Sequence, residues 1–281
     1  MSEAGTTVPG EASVPEGLVS SVVNLVGTGP VLLGAYTIAE LTAVDAIVDF
    51  LEARPSDEVL AEAVRSLAAR QLLVAGPPGE QVQVRGDLGI AVAFQQRARM
   101  VLDARVTGTQ PGEPWRILLL PQPERICLVV RIDALGIHEL GLYTSDEALG
   151  LLNAMLPRGP RADAGPAGGG PAGGGTAIDG TANGGTAAGG TAAGGTAAGD
   201  AAAGGEIDRV LAASERSALV TVTPYTTDGS AEIAGASTDL VLARHEGRLH
   251  VFHRDPDDHG QLVPGTPEGK DVRDTLVSLL S

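Results

Sequence analysis

Apolar residues recur at two spacings along this chain, and the places where the spacing changes mark its elements. Between residues 100 and 145, four short runs rich in β-branched and aliphatic residues (101–106, 117–120, 126–132 and 137–143) are divided by tight turns at Gln122-Pro123-Glu124 and Ala134-Leu135-Gly136. That pattern predicts strands. Thr144-Ser145-Asp146-Glu147 is a capping-box signature that opens a helix through Leu149, Leu152 and Leu156 to Pro157. Upstream, helical spacing predicts helices over 87–100 (Leu88, Ala91, Val92, Gln95), over 57–73 (Leu60, Val64, Leu67, Leu72, with Ser56 as N-cap) and over 41–54 (Leu41, Val44, Ile47, Val48, Leu51). Residues 18–39 hold the clusters Val22-Val23, Leu25-Val26 and Val31-Leu32-Leu33, broken by Gly27-Thr28-Gly29-Pro30, and read as strand-like. Residues 1–17 read as a loose tail.

The order helix, four strands, helix returns near the C-terminus. A short helix is expected over 206–213, strands over 219–223, 231–234, 238–244 and 249–254, and hairpin turns at Asp228-Gly229 and His245-Glu246-Gly247. Thr266-Pro267-Glu268 caps a last helix with Val272, Thr275, Leu276 and Leu279 as its stripe. Leu128-Val129-Val130-Arg131 matches Leu240-Val241-Leu242-Ala243 in type, and Ile137-His138 matches Leu249-His250. The expected fold is therefore α+β, with two pseudo-symmetric halves at 18–156 and 206–281, each leaving a sheet face for helices to cover.

Between the halves lies a tract, 157–205, so rich in Gly, Ala and Thr that it cannot build a packed core; it reads as a disordered linker. About 230 residues remain, enough for a sizeable core. Formal net charge is −16 and Lys270 is the single lysine. Neither nucleic acid nor an anionic membrane surface is an expected partner of so acidic a chain. A winged-helix DNA-binding regulator with a C-terminal sensing half is the alternative reading, because two helices followed by the turn Gly76-Pro77-Pro78-Gly79 and Val82-Gln83-Val84 outline such a module. Its second helix, however, sets Arg65 and Arg70 against Asp57, Glu58 and Glu62. The start has no basic n-region and no apolar run reaches about 18 residues, so a cytoplasmic protein is expected.

Chemistry is sparse. Cys127 lies in the apolar run Arg125 to Val130 and is expected to be buried. His250, His253 and His259 share ten residues with Asp255, Asp257 and Asp258, but residues three apart on a strand face opposite ways, which leaves only a loop set of His253, Asp257 and His259 for a metal. A solvated hairpin end is the preferred reading. Gly27-Thr28-Gly29-Pro30 lacks the lysine of a phosphate loop and the third glycine of a dinucleotide fingerprint. No nucleophile elbow or His-Glu-x-x-His helix is present, so no catalytic residue, metal or cofactor is assigned.

The ordered pattern resembles the EspG-type chaperones of ESX (type VII) secretion. The resemblance rests on Leu60-Ala61-Glu62-Ala63-Val64-Arg65-Ser66-Leu67-Ala68-Ala69-Arg70-Gln71-Leu72-Leu73-Val74, on the helix-to-strand passage 95–106, and on Pro123-Glu124-Arg125-Ile126-Cys127-Leu128-Val129-Val130-Arg131. It continues with Ala218-Leu219-Val220-Thr221-Val222, with Gly247-Arg248-Leu249-His250-Val251, and with Thr266-Pro267-Glu268-Gly269-Lys270-Asp271. It covers 40–156 and 206–281; the first 40 residues and the Gly/Ala/Thr tract fall outside it. What it implies is a central antiparallel sheet flanked by helical bundles, in a cytosolic chaperone that binds helical secretion substrates, PE/PPE-like or WXG-type, and keeps them soluble for export.

A protein that caps a helical tip needs an exposed apolar groove with a polar rim. In the C-terminal half the strand 249–254, the acidic loop 255–259 and the last helix adjoin in sequence, and the resemblance implies contact through the sheet and the C-terminal helices. The expected partner-binding residues are Val251, His253, Arg254, Asp257, Asp258, Arg273 and Leu280.

Overall fold

The computed structural model describes residues 15–46, 54–76, 82–162, 197–224, 238–255, 261–266 and 269–279. Nine strands form one antiparallel sheet in the order β1-β7-β6-β5-β4-β8-β9-β10-β11. These are β1 (Val31–Thr37), β4 (Met100–Thr107), β5 (Arg116–Pro121), β6 (Ile126–Ile132), β7 (Ile137–Thr144), β8 (Arg216–Pro224), β9 (Thr238–His245), β10 (Arg248–Arg254) and β11 (Leu262–Pro264). A separate hairpin joins β2 (Leu73–Val74) to β3 (Gln83–Val84). The helices are α1 (Glu16–Val26), α2 (Ile38–Ala43), α3 (Asp57–Ala69), α4 (Gly86–Arg97), α5 (Ser145–Met155), α6 (Ala197–Ala212) and α7 (Val272–Leu279).

Strand alternation sorts the sheet into two faces. On the first, Leu118, Leu120, Val130 and Leu142 pack against Val22 and Val26 of α1, Leu41 of α2, Leu67 of α3 and Phe94 of α4. Farther along the same face, Ile207 of α6 packs on Ala243 and Phe252. On the second face, Leu102, Leu119, Val129, Val220 and Leu242 meet Leu152 of α5 and Leu276 of α7. The result is a sheet between two helical layers. The N- and C-terminal strands share one core: β4 and β8 pair from Met100↔Pro224 to Thr107↔Ser217, and residues of both sequence halves fill the second-face cluster.

The four strands at 100–144 stand where the sequence pattern puts them, and Thr144 caps α5 through the expected box, its side chain accepting from Glu147 N while the Glu147 carboxylate accepts from Thr144 N. Three readings need correction. The segment 18–39 is not strand throughout: α1 covers Glu16–Val26, because Val19, Val22 and Val26 recur at helical spacing and are buried together. The helix expected at 41–54 begins earlier, at Ile38, under a second capping box made by Thr37 and Glu40, and ends at Ala43; residues 47–53 lie outside the described residues. The helix expected at 206–213 begins at Ala197, so its first nine residues come from the Gly/Ala/Thr tract, where a run of alanines supplies helix propensity. The strand expected at 231–234 and the Asp228-Gly229 turn lie outside the described residues.

The internal match of 128–131 with 240–243 likens β6 to β9, and that of 137–138 with 249–250 likens β7 to β10; in the sheet β4 and β8 lie side by side with β5 and β9 as their outer neighbours.

Candidate functional site

The seven expected contact residues do not form one surface among the described residues. Val251 is buried beneath α7 with Leu276. His253 shares that second face, half-buried, with Nδ1 hydrogen-bonded to the Gly265 carbonyl at 2.9 Å. Arg254 points to the opposite face, where its Nε donates to Asp239 at 2.6 Å. Arg273 is exposed on α7. Asp257, Asp258 and Leu280 lie outside the described residues, as does His259 of the loop metal set. The described residues contain no group of three or more His, Cys, Asp or Glu arranged to hold a metal.

A shallow hollow lies instead on the second face, at the β1 end of the sheet, where Leu32 and Ala35 are exposed above the buried Gly141 and Val129. Two cross-strand rows build it. One runs Leu32, Gly141, Val129, Leu119 and the other Ala35, Glu139, Arg131, Ile117, each stepping from β1 through β7 and β6 to β5. At about 4.8 Å between neighbouring strands the rows span roughly 14 Å, but their apolar members on β6 and β5, Val129, Leu119 and Ile117, are buried, so the exposed part is the β1 end. α5 flanks this trough because it leaves β7 at Thr144 and crosses toward β8, where Arg216 donates twice to the carbonyl of Met155, at 3.2 and 2.8 Å. Two hollows lie along it. One is lined by Leu32, Ala35, Val129 and Tyr143; the other by Ile117, Leu151, Ala154 and Met155; Arg131 lines both.

Leu32 is 70 % exposed on an edge strand that bears no charged residue, whereas its neighbours Leu33 and Tyr36 are buried on the other face. Edge strands usually carry a charge that discourages pairing, and this one carries none. A side chain at Gly141 would close the floor, since a Cβ there would come within 2.9 Å of the Tyr143 ring. The charges in the trough are paired. Arg131 donates to Glu139 at 2.5 Å, and Arg216 reaches Glu113 at 2.9 Å.

The titratable groups outside the trough are structural in their surroundings. Burial pushes the Cys127 thiol up to about 12, which leaves no thiolate at neutral pH. Burial likewise lowers the pKa of His138, whose Nδ1 bonds the Gly136 carbonyl. On α3, Arg65 is paired with Glu62; Arg70, just past the end of that helix, is paired with the buried Glu40 and lies over the Tyr36 ring. No helix among the described residues is long and apolar enough to cross a membrane.

The sequence did not flag the trough because its walls come from β1, β5, β6, β7, α5 and Arg216 of β8. The one local signal was Leu32 itself, an apolar residue out of phase with the buried Leu33 and Tyr36.

No family model and no curated protein sequence matches the chain. Among solved structures it is similar to the Mycobacterium tuberculosis type VII secretion system chaperone EspG5, solved in complex with a PE25–PPE41 dimer, at 11 % identity and a TM-score of 0.44, over 88 % of this chain and 95 % of that one.

Proposed function

We propose that this protein is a cytosolic chaperone for helical type VII secretion substrates, PE/PPE-like or WXG-type, and that it holds an apolar helix of the partner against the second face of its sheet. The hollows beside α5 are the observation that carries this reading, lined by apolar side chains with Arg131 between them and headed by the exposed Leu32. An amphipathic helix lying in such a groove gains the burial of its apolar face. The class of partner comes from the sequence resemblance. Of the C-terminal positions, Arg273 is exposed on α7, which stands on the same face beyond α5.

The proposal extends to the architecture. The order α4-β4-β5-β6-β7-α5 is repeated as α6-β8-β9-β10-β11-α7, with β4 and β8 adjacent and antiparallel at the centre. Two halves related by a pseudo-twofold axis between β4 and β8 account for both the order and the placing of α4 with α6 and α5 with α7 on common faces. Residues 163–196 then serve as a spacer between the halves.

The test is co-expression with a tagged helical secretion substrate. Leu32→Asp buries a charge in the proposed contact and should abolish a stoichiometric complex while leaving the melting temperature of the free protein unchanged, since Leu32 is exposed. Undiminished complex formation by the variant would remove the trough from the account.

A further inference from the structure

The sheet ends on two unlike edges. At one, β11 has three residues and closes on Pro264, and residues 160–162 lie along the start of β10, with Ala162 N donating to the Leu249 carbonyl at 2.9 Å. A short strand, a proline and a covering segment guard that side. At the other, β1 is the last strand and runs for seven residues, four of them exposed, with no charge or proline among them.

The ladder fixes which backbone groups of β1 face outward. Asp133 N donates to the Ile137 carbonyl and Ser145 N to the Arg125 carbonyl, so the odd-numbered residues of β7 bond toward β6 and the even-numbered ones toward β1. β1 meets those even-numbered residues at Val31, Gly34 and Tyr36, which leaves the N–H and C=O of Leu32, Ala35 and Thr37 pointing away from the sheet. Thr37 N accordingly donates to Glu40 at 2.9 Å. Leu33 is the extra residue of a bulge, and its carbonyl accepts from Tyr36 Oη at 2.8 Å. Leu32 and Ala35 hold the pairing groups at the middle of the edge.

The bulge also sets the faces. In a regular strand, residues three apart lie on opposite faces. Leu32 and Ala35 share one, because Gly141 and Glu139 opposite them do. An antiparallel copy of β1, turned about a twofold axis at the bulge, therefore sets each Leu32 against Ala35 of the other copy, large against small, with the backbone groups of both residues in bonding position. Val31 then meets Tyr36 of the other copy on the first face. Charge permits the approach. A chain of net charge −16 repels its own copy over most of its surface, but the charges flanking β1 are paired, Arg131 with Glu139 and Arg70 with Glu40.

We infer that two copies of this chain pair antiparallel through β1, Leu32 on Ala35 across a twofold axis, and join their nine-stranded sheets into one. The pairing covers Leu32, which is 70 % exposed in the single chain.

Sedimentation velocity of the full chain, without any helical substrate, should show a species of twice the 28.4 kDa chain mass that gives way to the single chain on dilution. Leu32→Lys, a charge of the kind that guards edge strands, should raise the dissociation constant at least about tenfold, and so should Ala35→Glu. Both changes in one chain set lysine against glutamate in each pair and should restore the dimer. Both positions are exposed, so the melting temperatures should stay at the wild-type value. Hydrogen exchange at the Leu32 and Ala35 amides needs no variant and should quicken on dilution. A chain that stays single up to about 1 mM, a Leu32→Lys chain that pairs as tightly as wild type, a folded double variant that stays single, or exchange at these amides that ignores dilution would overturn the pairing.

Discussion

Glu40 offers a quantitative test of how the first helical layer is held. It is 6 % exposed at the start of α2, and both carboxylate oxygens act as acceptors: Oε2 from Thr37 N at 2.9 Å and Thr37 Oγ1 at 3.2 Å, Oε1 from Ser66 Oγ at 2.8 Å and Arg70 Nη1 at 2.9 Å. One side chain thus closes the capping box and ties α2 to α3. Glu40→Gln keeps the shape but turns an N–H group toward one of these donor pairs. Two charge-assisted bonds weaken or are lost. With Arg70 half-exposed, and its share discounted for solvent, the change should cost about 2 kcal/mol at neutral pH.

The pH dependence of that loss has a fixed sign. Burial pushes the Glu40 carboxyl up, but the Thr37 and Ser66 hydrogen bonds and the Arg70 charge outweigh it and hold the group below its ordinary value. The folded pKa lies below the unfolded one, so the stabilisation is full above the ordinary carboxylate value of about 4.5 and vanishes as pH falls through the folded value. Urea unfolding of both proteins from pH 7 to pH 3 should therefore show a gap of about 2 kcal/mol that narrows below pH ~4.5. A gap that is constant over this range, or below about 0.5 kcal/mol at pH 7, would refute the role given to Glu40.

Further outcomes follow from the shared core and the tract. Leu152→Ala, at a fully buried position of the cluster common to both halves, should cost about 2–5 kcal/mol and lower a single unfolding transition in calorimetry; two separate transitions would contradict one core. Trimming 163–196 to about ten residues should leave the melting temperature nearly unchanged or slightly raised, since each halving of a loop is worth only about 0.6 kcal/mol; a fall of many degrees would show that the tract packs. Charge reversal at Asp257 and Asp258 together should weaken co-purification of the helical substrate with the fold intact, and wild-type capture would exclude that loop from the contact.

Legibility in the sequence followed the locality of the cause. β4 to β7 and α5 were readable because alternation, turn residues and the Thr144–Glu147 box all act within a few residues. α1 was misread because valines favour strands on propensity, yet the burial of Val19, Val22 and Val26 against the sheet decides the matter. The sheet order was not readable, because nothing in β4 or β8 alone says that they pair across 110 residues at Thr107 and Ser217. Those two hydroxyls meet at 2.8 Å beside Gly108, whose Cβ, had it one, would stand 2.3 Å from the Glu215 carbonyl. The contact residues chosen in the C-terminal half were neighbours in sequence, but the strand period of two sends Val251 and Arg254 to opposite faces. The trough needs Leu32, Arg131, Glu139 and Leu151 at once, and only the folded sheet brings them together.

Hydrogen–deuterium exchange on the full chain, alone and in complex with a co-expressed helical secretion substrate, tests the central claim most directly. The account predicts new protection in 31–37, 129–143 and 146–155, the segments that border the trough, with the helices of the first face unchanged. Protection confined to the first face, or to the C-terminal strands and α7 with the trough still exchanging freely, would contradict it.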